Sequence, residues 1–323
     1  MLNKLKMLNS MKNNLYKKDI VTVESLSRDD IELIFDKTGE MGKLVNKNGG
    51  DDRLKGKILA ALFYEPSTRT FSSFLAAMQR LGGGIIPFNG MKNTSVEKGE
   101  SFKHTVQVFS RYADCLVIRH PEAEMPAQGA KYADIPVINA GDGINEHPTQ
   151  ALFDTYTIRN HFNGLDRLTV TLVGDLKNGR TVHSLSQILA KMGTNLKFNF
   201  VSPVVLKMPQ ELKKKINTMG TNIKETESLS DVIPQSDVIY MTRVQKERFA
   251  DLAEYEKLKS YYQLDRKMME KAKQNSLVMH PLPIAAGEIN NDLDNDPRSV
   301  YLNKQLSNGL YLRMALLDLI LRK

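Results

Sequence analysis

KILAALFY at residues 57–64, EPSTRT at 65–70 and FSSFLAAMQRL at 71–81 form the stretch whose reading decides the fold. The first segment is a short, almost wholly apolar run, the mark of a strand covered on both faces. Glu65-Pro66-Ser67-Thr68-Arg69-Thr70 breaks it. Phe71, Phe74, Leu75, Met78 and Leu81 then recur at helical spacing, and Gly82-Gly83-Gly84 stops that helix.

Working outward, the same alternation recurs. Strands are expected at residues 115–118, 135–139, 168–173, 196–201, 237–241 and 276–279. Helices are expected at 25–36, 101–112, 149–160, 181–192 and 310–321, and a polar Gly-rich loop at 46–53. Strands separated by helices predict an α/β chain built on mainly parallel sheets with helices on both faces. A length of 323 residues favours two such domains. HFNGLD at 161–166 is the boundary, giving domains 19–160 and 161–304. Helix 305–323 is expected to pack back on the first domain, and 1–18, rich in Lys and Asn, to be a flexible extension.

The bulk composition narrows the function. Apolar residues make up 41% and charged residues 25%, as in ordinary globular proteins. No apolar run reaches bilayer length, so no membrane partner is expected. The N-terminal segment lacks the apolar core of a secretory signal, which leaves a cytoplasmic location as the expectation. A single cysteine, Cys115, excludes an internal disulfide and a Cys-rich metal site, and its apolar surroundings make it a core filler. The net charge of +8 accompanies scattered basic residues and no nucleic-acid motif, so anionic small molecules are the better partners. His147, His183 and His280 are not at ligand spacing, so neither a metal nor another cofactor is expected.

In parallel sheets, ligands bind at the carboxyl ends of strands, and polar clusters follow nearly every predicted strand here. Ser67-Thr68-Arg69-Thr70 opens a helix, where free N–H groups and the positive dipole end favour an anion. Its guanidinium suits a phosphate, although Ser and Thr also cap helices routinely. Ser95-Val96-Glu97-Lys98-Gly99-Glu100 is a polar loop whose lysine is able to swing over a ligand. Arg119-His120-Pro121 ends a strand with a cation. In Ala140–Gln150 (AGDGINEHPTQ), Pro148 suits the first helical turn, and His147 and Gln150, three apart, share a face. GDLKNGRT at 174–181 nearly matches the phosphate loop of NTPases, but Arg180 replaces its lysine, which points to a plain anion site. Arg243 and Gln245 in MTRVQKER (241–248) point the same way if extended, and His280-Pro281-Leu282-Pro283 is a stiff strand-end turn.

In their order along the chain from about Thr22 onward, these seven segments resemble the aspartate/ornithine carbamoyltransferase family, and within it the aspartate-specific catalytic chains. The resemblance implies carbamoyl transfer from carbamoyl phosphate to the amine of L-aspartate, giving N-carbamoyl-L-aspartate and phosphate in pyrimidine synthesis. It implies that 19–160 binds carbamoyl phosphate and 161–304 binds aspartate. Ser67, Thr68, Arg69 and Thr70 would hold the phosphate. Arg119, His147 and Thr70 would polarise the carbamoyl oxygen. Gln150 would hold the carbamoyl NH2, helped by the carbonyls of Pro281 and Leu282. Arg180, Arg243 and Gln245 would grip aspartate. Ser95 and Lys98 would reach in from a neighbouring subunit of a homotrimer with shared active sites, Lys98 touching both substrates. No regulatory subunit is identifiable.

Two positions depart from the family pattern. Phe71 and Ile284 stand where many relatives carry arginine. An ornithine-specific relative usually has a Ser-Met-Gly loop and a His-Cys-Leu-Pro turn. Here Thr242-Arg243-Val244-Gln245 and His280-Pro281-Leu282-Pro283 occupy those places, with arginines suited to a dicarboxylate.

Overall fold

The computed structural model describes residues 13–245, 249 and 251–323. The chain divides into two compact units: residues up to Phe153 together with Ser307–Lys323, and Asp154–Leu306. All strand pairings within both sheets are parallel.

The first unit opens with α1 (Arg28–Asn48), capped by Ser27, whose hydroxyl accepts from the Asp30 N–H while the Asp30 carboxylate accepts from the Ser27 N–H. This reciprocal box satisfies two donors that a helix start otherwise leaves bare. The expected loop at 46–53 therefore begins later than predicted, since α1 continues to Asn48 and stops at Gly49 (φ 78°). Then follow β1 (Ile58–Phe63), α2 (Thr68–Arg80), β2 (Gly84–Asn89), α3 (Phe102–Phe109), β3 (Cys115–His120), α4 (Met125–Tyr132), β4 (Val137–Asp142) and α5 (Pro148–Phe162). The sheet order is β2-β1-β3-β4. Ala60, Leu62, Leu116, Ile118 and Val137 share one buried cluster with Val106 of α3. Cys115 is fully buried in β3, and burial pushes its thiol pKa up, away from any nucleophilic role.

Residues 13–18 correct the expected flexible extension. Leu15 is fully buried, Asn13 donates to the Leu319 and Arg322 carbonyls, and Lys18 pairs with Asp30 at 2.7 Å. Their polar composition hid the buried Leu15, and the Asn13 side chain and Lys17 N–H tie the segment to α10 (Lys304–Leu321). Residues 1–12 lie outside the described part.

The second unit contains β5 (Thr169–Val173), α6 (Arg180–Met192), β6 (Lys197–Val201), α7 (Gln210–Asn217), β7 (Asn222–Thr226), β8 (Val238–Met241), α8 (Leu252–Leu258), α9 (Arg266–Met269) and β9 (Leu277–Met279). Its order is β7-β6-β5-β8-β9. Val173, Val201, Ile239, Met241 and Val278 form its core with Leu264, Met269 and Tyr301. In each sheet the chain reverses direction of progress beside the strand that comes first in sequence, so loops of neighbouring strands gather at one carboxyl edge. Among the described residues, no helix is long and apolar enough to cross a membrane.

Candidate active site

In the first unit, β1, β3 and β4 lie side by side, so the loops carrying Arg69, Arg119 and His147 leave the same edge. Tyr64 N–H donates to the Arg119 carbonyl at 2.8 Å, continuing the pairing of β1 with β3 into the loop. Ser67 occupies the N-cap of α2 with an extended backbone (φ −151°, ψ 121°), yet its hydroxyl makes no capping bond. The hydroxyls of Ser27 and Ser101 do cap their helices. The capping reading of Ser67 thus fails, and the amides opening α2 keep their pull on an anion. Its own N–H is tied to the Asn89 side chain at 2.8 Å, which links the loop to the end of β2.

Thr70, one turn in, is buried, and its hydroxyl lies 3.5 Å from Nε2 of His147. A hydroxyl from one strand-end loop and an imidazole from another therefore meet. Arg119 is anchored on the same sheet edge: one guanidinium nitrogen lies 2.8 Å from the Glu65 carboxylate and another 3.4 Å from the Ala140 carbonyl. Arg69 and Thr68 are exposed, and Gln150 is buried in the first turn of α5.

Asp142 explains how His147 and Gln150 reach this position. Its buried carboxylate accepts from the Glu124 N–H (2.7 Å), the Asn139 and Asn145 amides (both 2.9 Å) and the Glu146 N–H (3.1 Å). Gly143 (φ 47°) adopts a backbone that side chains disfavour, and a Cβ there would press to 3.0 Å from the Pro121 carbonyl. The loop is a rigid bracket that ends at Pro148. Ser95 and Lys98, expected on a loop, sit on a 3-10 turn (Ser95–Lys98) after β2, and both are exposed.

The second unit builds its own edge in the same manner. Gly174 (φ 114°) passes so close to β8 that a Cβ would lie 2.4 Å from the Thr242 carbonyl. Asp175 is fully buried; desolvation raises its carboxyl pKa, and bonds from the Asn178 N–H (2.9 Å) and side-chain amide partly oppose that. The loop so fixed delivers Arg180 to the start of α6, where Gly179 supplies no side-chain cap. Gln245 donates to the Asn178 carbonyl at 3.4 Å, so the segment bearing Arg243 and Gln245 lies against the segment bearing Arg180. Lys246, Glu247 and Arg248 fall outside the described residues. Pro281 and Leu282 follow β9, next to β8; Leu282 has φ 59° and precedes a cis peptide to Pro283.

Glu65, Asn89 and Asp175 were not predicted as site-building residues. Asp175 had a signal, a carboxylate between a strand and a glycine-bearing turn. Glu65 and Asn89 had none beyond standing at strand ends. The two departures also find a physical reason. Phe71 stacks edge-on against Phe63 with ring centroids 5.2 Å apart, and Ile284 packs on the second core, so both positions serve apolar contact.

Each unit therefore gathers guanidinium groups with hydroxyl, imidazole or amide groups along one sheet edge, which defines a binder of anionic small substrates. Residues 18–160 match the aspartate/ornithine carbamoyltransferase carbamoyl-P binding domain, and residues 166–320 match the Asp/Orn binding domain of the same family. The catalytic subunit of aspartate carbamoyltransferase from Thermococcus onnurineus is 44% identical over 94% of this chain and 97% of its own length. The multifunctional protein pyr1-3 of Dictyostelium discoideum is 47% identical over 95% of this chain, which spans 14% of that much longer protein. The crystal structure of aspartate transcarbamoylase from Trypanosoma cruzi in complex with carbamoyl phosphate and aspartate superposes with a TM-score of 0.90. It is 39% identical, covering 96% of this chain and 98% of that one. The chain belongs to the aspartate/ornithine carbamoyltransferase family.

Proposed function

We propose that this protein is an aspartate carbamoyltransferase, joining carbamoyl phosphate and L-aspartate into N-carbamoyl-L-aspartate and phosphate as an early step of pyrimidine synthesis. The observation that carries the reading is the meeting of Thr70 and His147 at an α2 start whose N-cap hydroxyl does not cap, with Arg119 anchored on the same sheet edge. In this reading residues 19–160, with helix 305–323, bind carbamoyl phosphate and residues 161–304 bind aspartate. Ser67, Thr68, Arg69 and Thr70 hold the phosphoryl oxygens. Gln150 and the Pro281 and Leu282 carbonyls take the carbamoyl NH2. Arg180, Arg243 and Gln245 take the aspartate carboxylates.

The chemistry follows from those roles. The neutral aspartate amine attacks the carbamoyl carbon, and the carbonyl π pair moves onto oxygen. Thr70, Arg119 and His147 donate to that oxygen, where each preorganised donor contributes about 3 kcal/mol in such sites. The tetrahedral intermediate collapses, the bond from carbon to the bridging oxygen breaks, and phosphate departs. The amine proton leaves on a phosphate oxygen, so no separate base is required. Fixing both substrates in line supplies much of the remaining acceleration.

Against an ornithine substrate, two arginines after β5 and β8 suit a dicarboxylate and repel an ammonium side chain. A bisubstrate analogue joining a phosphonate to an aspartyl group should inhibit competitively with carbamoyl phosphate, while one joining it to an ornithyl group should not. Equal inhibition by both would contradict the assignment to aspartate.

The exposure of Ser95 and Lys98 supports a shared site in which they act in the neighbouring subunit of a cytoplasmic homotrimer. Mixing inactive Lys98→Ala and Arg180→Ala chains is then expected to restore activity. In randomly mixed cyclic trimers about a quarter of sites pair an intact Arg180 with an intact neighbouring Lys98. Mixed trimers that stay inactive would exclude sharing.

A further inference from the structure

The turn after β9 is closed by a buried pair whose hydrogen-bond directions are fixed. His280 and Glu288 are 1% and 2% exposed, and Nε2 of His280 lies 3.2 Å from Oε1 of Glu288. On the other side of the ring, the Leu282 N–H donates to Nδ1 of His280 at 2.7 Å. An imidazole nitrogen that accepts carries no proton, so Nδ1 is bare and Nε2 holds the hydrogen that goes to Glu288. His280 is thus neutral, in one tautomer.

Glu288 also collects the N–H of Ala286 at 2.9 Å and of Ala285 at 3.3 Å. Burial raises its carboxyl pKa, but the bonds from His280 and the backbone outweigh that and leave it lowered, so it stays a carboxylate. One anion therefore ties together the imidazole and both backbone donors across the loop. The far end is anchored as well. His280 N–H donates to the Gln305 side chain at 3.2 Å, and Gln305 donates to Asp154 at 2.7 Å. Tyr240 donates to the other Asp154 oxygen at 2.7 Å. Leu282 and Ile284 pack on the second core. The Leu282 backbone, at φ 59°, is a conformation non-glycine residues rarely adopt unless their surroundings impose it.

We propose that His280 and Glu288 are positioning residues that set the Leu282 main chain, and through it the carbonyls of Pro281 and Leu282 that receive the carbamoyl NH2. This rests on the carbamoyltransferase reading of the same turn. Both residues are buried, so they act through the main chain they hold. Glu288 fixes the tautomer, the tautomer presents a bare Nδ1, and that nitrogen holds the Leu282 amide in place.

Two substitutions separate positioning from general stability. In His280→Asn, the side-chain oxygen falls where Nδ1 was and still accepts from Leu282, but the bond to Glu288 is lost. In His280→Gln, the amide nitrogen reaches Glu288, but Leu282 loses its acceptor. Both variants break one buried bond, so both should melt at lower temperature. Only His280→Gln should show kcat reduced about 100-fold, as a misplaced contact near the reacting group does, with the aspartate KM little changed. His280→Asn should retain kcat near that of the wild type. Equal kcat losses in both variants, or an unimpaired His280→Gln, overturn the proposal. The wild-type enzyme gives a second readout that needs no variant to fold. 15N-imidazole labelling should find His280 as the Nε2–H tautomer, and an Nδ1–H tautomer or an imidazolium also overturns it. A wild-type chain that makes no carbamoyl aspartate sinks the functional reading instead, while the tautomer still decides the pair.

Discussion

Replacing Arg69 by alanine is expected to lower kcat about 1000-fold, the loss typical when a preorganised donor to developing charge is removed. Arg69 is the one guanidinium in the first turn of α2, whose N-cap hydroxyl makes no bond back to the helix. A departing phosphate gains charge as the carbon–oxygen bond lengthens, so a guanidinium there interacts more strongly with the transition state than with the bound substrate. kcat and kcat/KM for carbamoyl phosphate should therefore fall together, as steady-state kinetics at saturating aspartate will show. A variant whose only change is a higher KM for carbamoyl phosphate would restrict Arg69 to uniform binding. Stability should hardly move, because Arg69 is exposed and its removal leaves no cavity.

Arg243→Ala is expected to act on the other substrate. Losing a guanidinium from a carboxylate grip should lower kcat/KM for aspartate by about 100-fold or more. Calorimetric binding of carbamoyl phosphate alone should be unchanged. This contrast tests the division of labour between the two sheet edges. Arg243 leaves the end of β8 beside Gln245, which is tied to the loop of Arg180, so the two arginines stand on adjoining segments. Weakened carbamoyl phosphate binding in Arg243→Ala would show that the division is wrong.

How far these expectations could be reached from the residues alone depends on burial. β1, β3, β5, β8 and β9 are central or well-covered strands with near-continuous apolar runs, and each was legible as such. β2 (GIIPFN) and β7 (NIKET) were not, because they are edge strands with half-exposed, mixed patterns. Pro87 in β2 is tolerated at an edge, where it interrupts no second ladder. α4 (MPAQGAKY) was hidden by Pro126 and Gly129, the latter standing where a Cβ would press on Ile118. The loops proposed to bind anions stood out because rare residue types follow apolar strands. Their supports did not. Asp142 looks like an ordinary loop acid until its burial and converging donors are seen, and the partnership of His280 with Glu288 spans eight residues with no sequence signal.

The most direct test of the central claim is a paired product assay of the purified chain. Carbamoyl phosphate is supplied with either L-aspartate or L-ornithine, and both the carbamoylated amino acid and the phosphate are measured. The account predicts carbamoyl aspartate and phosphate in equal amounts, and no citrulline above the uncatalysed rate. Citrulline as the sole product, or phosphate release without carbamoyl aspartate, would contradict it.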